Sequence, residues 1–230
     1  MQRIAVIGAG NAGLDFALRC VQSGFDVVLE DVMPSRLRRA EQARTLLPPR
    51  PPTNPGAPSS PTVSSPAKVG SHDVSPATNP GAPFMTTALS SAWVGSHNAS
   101  PGTLHLASTV EDAVRSADLA IDFVPDELES KLEIFSLLDR MAPPHTILCT
   151  PTSTLSIADL ASCTYRADRC FALKILNLAP PAPSAKLIYT HHSEPAATTA
   201  VELWLRALGF TVTTEADRAE PMLVSTVPGS

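Results

Sequence analysis

Arg3-Ile4-Ala5-Val6-Ile7-Gly8-Ala9-Gly10-Asn11-Ala12-Gly13 is the stretch that decides the fold. Its apolar run does not alternate with polar residues, so it reads as a strand buried on both faces, as in a parallel sheet. It leads straight into Gly8-x-Gly10-x-x-Gly13, and then into a helical pattern from Ala12 to Ser23. Each glycine has a physical task. Gly8 permits the tight strand-to-helix turn, Gly10 lets a pyrophosphate approach bare backbone, and Gly13 lets the helix pack close on the strand. The helix N-terminus then offers unpaired N–H groups and a positive dipole end to phosphates. A glycine-rich turn in some other α/β fold would show the same three residues. The context favours a dinucleotide site: a second apolar run, Val27-Val28-Leu29, ends in Glu30-Asp31, with Asp31 eighteen positions after Gly13. A carboxylate there is placed to accept hydrogen bonds from an adenosine ribose and to repel a 2′-phosphate, which favours NAD over NADP.

Working outward, the chain of 230 residues divides into four stretches. Residues 1–47 form the first part of the Rossmann unit, closing with a helix that starts near Pro34-Ser35. Arg36, Arg38 and Arg39 on that helix read either as a solvated face or, for Arg36, as a group beside the adenine. Residues 48–103 are dense in Pro, Ser, Thr, Ala and Gly and contain a tandem repeat. Thr53-Asn54-Pro55-Gly56-Ala57-Pro58 recurs as Thr78-Asn79-Pro80-Gly81-Ala82-Pro83, a period of twenty-five residues. Such a composition cannot build a core, so it reads as a disordered insertion, with His72 and His97 carried along by the repeat rather than ligating a metal. Residues 104–216 resume the alternation. Strands are expected at 104–107, 118–124, 146–149, 171–176, 187–189 and 211–213. Helices are expected at 111–117, 128–141 and 194–208, with a short one opened by Ser156 and Asp159. Residues 217–230 form a C-terminal tail. The expected fold is α/β, a doubly wound, mostly parallel sheet.

Charge and composition narrow the partners. A formal net charge of −5 argues against nucleic acid or an anionic membrane as partner. No apolar run approaches the ~18–20 residues needed to span a bilayer, and the chain opens directly on its first strand, leaving no room for a cleavable leader. Cys20, Cys149, Cys163 and Cys170 show neither metal-type nor CxxC spacing, and read as reduced thiols in a cytoplasmic protein.

Several phrases together resemble the NAD-binding domain of the 3-hydroxyacyl-CoA dehydrogenase family, which includes a lambda-crystallin and L-gulonate dehydrogenase branch. They are the opening strand and glycine loop, Val27-Val28-Leu29-Glu30-Asp31, Ala117-Asp118-Leu119-Ala120-Ile121-Asp122 and Val124-Pro125-Asp126-Glu127-Leu128-Glu129-Ser130-Lys131. Thr152-Ser153-Thr154-Leu155-Ser156-Ile157 and Asn177 complete the set. The resemblance implies NAD as cofactor and hydride transfer to or from a hydroxyl or ketone substrate, with a place in specialised metabolism as one setting. It implies a cofactor-binding set of Gly8, Gly10, Asn11, Ala12, Gly13, Asp31, Asp126, Lys131 and Ser153. Ser153 matches the serine that hydrogen-bonds the reacting oxygen, and Asn177 the asparagine beside the nicotinamide.

The catalytic position departs from the family. Where the family has a histidine as general acid/base, this chain has Lys174, and the carboxylate that orients the histidine falls at about Tyr189. Histidine titrates near ~6.5 and lysine near ~10.4, so Lys174 is either a proton donor of a different kind or a structural cation. The repeat occupies the place of a helical hairpin that in the family helps to hold CoA, and the family's helical C-terminal domain would begin just past Asp217-Arg218. Three readings follow: an NAD-dependent enzyme using Ser153, Lys174 and Asn177; a dinucleotide-binding paralogue without chemistry; or an incomplete chain whose helical domain comes from a partner or was lost. The expected partners are a small-molecule substrate and either a second copy of the chain or a helical partner domain.

Overall fold

The computed structural model describes residues 2–46, 101–177, 183–218 and 220–222. The repeat segment 48–103 lies outside the described residues apart from its last three, as do residues 178–182.

Eight strands form one sheet in the order β3-β2-β1-β4-β5-β6-β7-β8. In chain order these are β1 (Arg3–Ile7), β2 (Asp26–Glu30), β3 (Leu104–Ala107), β4 (Leu119–Asp122), β5 (Ile147–Pro151), β6 (Cys170–Asn177), β7 (Ser184–Tyr189) and β8 (Thr211–Ala216). The helices are α1 (Asn11–Gln22), α2 (Pro34–Thr45), α3 (Val110–Val114), α4 (Leu128–Met141), α5 (Ile157–Ala161) and α6 (Pro195–Ala207). Every neighbouring pair of strands is parallel except β6 and β7. That exception follows from chain length. Only residues 178–183 join β6 to β7, too few for the dozen or more that a parallel crossover needs.

β1 sits at the centre, and Ile4, Ala5 and Val6 are fully buried because both sheet faces are covered. On one face, Leu14, Ala17, Cys20 and Val21 of α1 pack with Val201, Trp204 and Leu205 of α6. On the other, Ala113 and Val114 of α3, Phe135 and Leu138 of α4, and Leu160 of α5 pack beneath Ala5, Ala120 and Leu148. The crossover from one face to the other leaves a switch point between β1 and β4, the crevice where open α/β sheets bind ligands.

The local expectations hold where caps and apolar spacing specify them. Thr109 Oγ1 accepts from the Asp112 N–H at the start of α3, Ser156 Oγ caps α5 through the Asp159 N–H, and α4 has the expected bounds. Three boundaries differ by three residues. β7 starts at Ser184 rather than Leu187, where it pairs with Asn177. α3 ends at Val114 rather than Ala117, where the chain turns to enter β4. β8 runs on to Ala216 rather than Thr213, because Glu215 and Ala216 pair with Ile188 and Tyr189; this exposed edge strand carries no apolar alternation to mark it. No helix among the described residues is long and apolar enough to cross a membrane.

Candidate active site

The glycine loop joins β1 to α1 at the switch point. Gly8 has φ of +98°, a left-handed conformation that side-chain-bearing residues avoid. A Cβ at Gly13 would lie 1.9 Å from the Gly8 carbonyl oxygen, so α1 packs on the loop only because that hydrogen is there. At Gly10 a Cβ would meet nothing within 4 Å. The space above Gly10 is therefore open, as a diphosphate lying on the loop requires. Gly10 also opens α1, whose first turn holds no acidic side chain to compete for its N–H groups. The residues present fit a dinucleotide.

Asp31 is 3% exposed and held on three sides. Its Oδ2 accepts from the Ala9 N–H at 2.8 Å and from Arg36 Nη1 at 3.1 Å, and its Oδ1 accepts from the Met33 N–H at 2.7 Å. The carboxylate thus ties β2, the start of α2 and the glycine loop together. Arg36 pairs with Asp31, while Arg39 Nη1 donates to the Asn11 amide oxygen across the groove. Beside them Glu30 is buried, with Oε1 lacking a hydrogen-bond partner among the described residues. Burial first, and then the adjacent Asp31 charge, push its carboxyl up to about 7.

Across the switch point, Lys131 of α4 is 1% exposed, and its Nζ donates to Asp122 Oδ1 at 2.8 Å. Burial raises the Asp122 carboxyl against the pull of that ammonium. Lys131 therefore lies behind the strand ends rather than in the groove, and its charge also reaches Asp126. Asp126 Oδ2 accepts from the Ser153 N–H at 2.9 Å and from the Ser153 hydroxyl at 2.8 Å. Burial alone would raise the Asp126 carboxyl, but the Thr152 hydroxyl, the two Ser153 donors and the Lys131 charge bring it below the usual range.

Lys174 is half-buried at a cavity of about 250 Å³ lined also by Thr154, Leu155, Ser156, Ile188 and Glu215, and closed by Asp217 and Arg218. Ser153 is not among those residues; its hydroxyl donates to Asp126. Tyr189 packs against the core on the opposite face, with α1 and α6, so it is not placed to orient a group at position 174. Asn177 ends β6 at a bulge.

Local pattern did not reveal the closure of this cavity. Asp217 Oδ2 accepts from the Ser156 hydroxyl at 2.7 Å and the Ala158 N–H at 3.0 Å. Arg218 Nε donates to Ser156 Oγ at 2.9 Å, and its other end pairs with Asp159. These partners are about sixty residues apart in the chain. The Ser156-x-x-Asp159 cap was the sole local sign that this turn carries polar groups. The four cysteines are free thiols, and burial raises those of Cys20, Cys149 and Cys170, the last to about 12.

A parallel sheet in this order, with a glycine cradle at its switch point and an acid after β2, defines a dinucleotide-binding Rossmann domain. The model of the 3-hydroxyacyl-CoA dehydrogenase NAD-binding domain matches residues 96–217. The chain belongs to that family through this domain, whose cofactor is NAD. A probable 3-hydroxybutyryl-CoA dehydrogenase of Bacillus subtilis (strain 168) is 36% identical over 85 residues, covering 37% of this chain and 28% of that protein. The mitochondrial hydroxyacyl-coenzyme A dehydrogenase of Sus scrofa is 40% identical over 84 residues, covering 35% and 26%. The chain thus matches between a quarter and a third of each of these relatives. Among solved structures, a diketoreductase superposes with a TM-score of 0.68 at 23% identity, covering 98% of this chain and 68% of that one. A 3-hydroxyacyl-CoA dehydrogenase of Archaeoglobus fulgidus does so at 0.62 and 20%, covering 95% and 58%. At such identities the likeness is one of fold.

Proposed function

We propose that this protein is an NAD-dependent oxidoreductase acting on a CH–OH group or the corresponding ketone. The observation that carries the reading is the glycine cradle at the switch point, in which Gly13 packs on Gly8 and Gly10 faces open space. When bound, the nicotinamide supplies or accepts the hydride. The chain's own residues hold and orient. The backbone N–H groups of Asn11 and Ala12 face the diphosphate, Asp31 holds the loop and faces the adenosine ribose, and Asp126 and Asn177 flank the nicotinamide end.

The Ser153 hydroxyl donates its hydrogen bond to Asp126, so toward a substrate its oxygen is an acceptor, suited to an alcohol O–H. Lys174, as an ammonium, is the donor suited to a ketone oxygen. In reduction, the carbonyl carbon takes the hydride and the oxygen takes a proton from Lys174, leaving an alcohol and a neutral amine. Buried Lys131 positions Asp126 through its charge rather than by contact with the cofactor. The free thiols of the four cysteines suit a reducing compartment such as the cytoplasm.

The test is NADH oxidation by the full chain, with acetoacetyl-CoA and a simple β-diketone as separate probes. Turnover of either supports the enzyme reading and separates thioester from free-ketone substrates. The second reading, a dinucleotide-binding protein without chemistry, is favoured by Lys174 standing where the family has histidine. Saturable NADH binding with no turnover of any ketone or alcohol would select it.

A further inference from the structure

The ribose end of the cradle carries two arginines beside the aspartate that marks it. Asp31 accepts from two backbone N–H groups and from Arg36, which leaves one of about four carboxylate acceptor positions open. Its charge is matched by a guanidinium that remains 55% exposed. Arg36 uses Nη1 on Asp31, so its remaining donors are directed elsewhere. One turn on along α2, Arg39 reaches over the groove to Asn11, whose amide oxygen is a neutral acceptor, so that arginine's positive charge is not cancelled there. The first turn of α2 carries no acidic side chain, and neither does the first turn of α1 opposite it. Glu30, the other nearby acid, is buried and partly protonated at neutral pH.

We propose that Arg36 and Arg39 form an anion-recognition pair at the adenosine ribose, so that this chain accepts the 2′-phosphorylated dinucleotide NADP(H) as well as NAD(H). The inference rests on the dinucleotide reading of the cradle. A buried carboxylate already paired with an arginine exerts little repulsion on a 2′-phosphate. Two guanidinium forks within one helical turn supply the planar, charge-assisted donors that phosphate oxygens take best. The nucleotide-specific contact thus comes from α2, while Asp31 serves mainly to hold the glycine loop against β2.

The experiment is calorimetric titration of the full chain with NADH and with NADPH, at low and at moderate salt. For the unaltered protein the two dissociation constants should lie within about tenfold of each other, with NADPH binding the more salt-sensitive. In the Arg36→Gln/Arg39→Gln double variant, where the side-chain amide introduced at position 36 still offers Asp31 an N–H donor, the NADPH-to-NADH ratio should rise by about ten- to a hundredfold. Arg38→Gln, an exposed neighbour on the same helix, should leave the ratio within about twofold. The proposal is overturned if the unaltered protein discriminates against NADPH by more than about a hundredfold. It is equally overturned if the double variant leaves the ratio unmoved, or if Arg38→Gln moves it as much. Failure to bind either dinucleotide would instead refute the cofactor reading itself.

Discussion

The glycine cradle after β1 and the cavity beside Lys174 both lie toward the carboxyl ends of parallel strands of one sheet, yet they are built differently. The cradle is made of backbone. Gly8, Gly10 and Gly13 follow one another in the chain, and the fit depends on one missing Cβ, at Gly13. The cavity is made of side chains brought from three places: Lys174 from β6, Ser156 from the start of α5, and Asp217 with Arg218 from beyond β8. A backbone site tolerates drift elsewhere as long as its glycines remain. A side-chain site changes its chemistry with a single substitution, and the resemblance to the family implies one at Lys174. Two sites built in these ways can diverge independently.

The contrast can be broken most sharply at Lys174. If it is the proton donor, Lys174→Ala should lower ketone reduction by about two to four orders of magnitude while NADH affinity, measured by fluorescence titration, stays within about twofold. Full turnover by that variant would remove Lys174 from the chemistry. Lys174→His would not restore the family's arrangement, since Tyr189 packs on the other face of the sheet.

The buried Asp122–Lys131 pair stands at the end of β4, the strand between β1 and β5. Lys131→Met should destabilise the domain by about 3–5 kcal/mol in urea unfolding, because it strands a fully buried carboxylate. Adding Asp122→Asn should recover much of that loss. A single variant with unchanged unfolding midpoint would show that the pair is not coupled.

Glu30 gives a smaller effect with a definite sign. Its folded carboxyl is raised to about 7 from an ordinary 4.5, so the native state holds a proton that the unfolded state releases between those values. The stability contributed by the protonated form is present below about 4.5 and is lost as pH rises through about 7. Glu30→Gln should therefore stabilise by roughly 1–3 kcal/mol at pH 8 and by little at pH 4.5. A pH-independent gain would place the carboxyl's titration elsewhere.

The smallest effect lies at the cavity's rim. Ser156→Ala removes the α5 cap and one donor to Asp217, and should cost about 1 kcal/mol in thermal unfolding. The cradle should be unaffected, so NADH binding below the transition should not change. A fall in NADH affinity would mean that the two regions are coupled after all.

Much of the fold was legible because its signals are local. The unalternating run Ile4–Ile7 marks a strand covered on both faces, and Thr109, Ser156 and the apolar spacing of α4 mark helix starts and faces. The direction of β7 and the end of β8 were not legible. The first depends on how short the β6–β7 connection is, and the second on pairing with Ile188 and Tyr189 rather than on any pattern in Thr-Glu-Ala.

At the site, the residues were legible and their partners were not. Asp31, Asp126, Lys131, Ser153 and Lys174 all stood out in the chain. Nothing in their spacing says that Asp31 turns inward to Ala9, that the Ser153 hydroxyl donates to Asp126, or that Lys131 faces Asp122. Sequence alone determined the strand–glycine–helix cradle, because the buried strand, the three spaced glycines and the helix start follow one another in the chain. Tertiary structure alone decided which charges meet, because electrostatic pairing acts across space between residues that the chain keeps far apart.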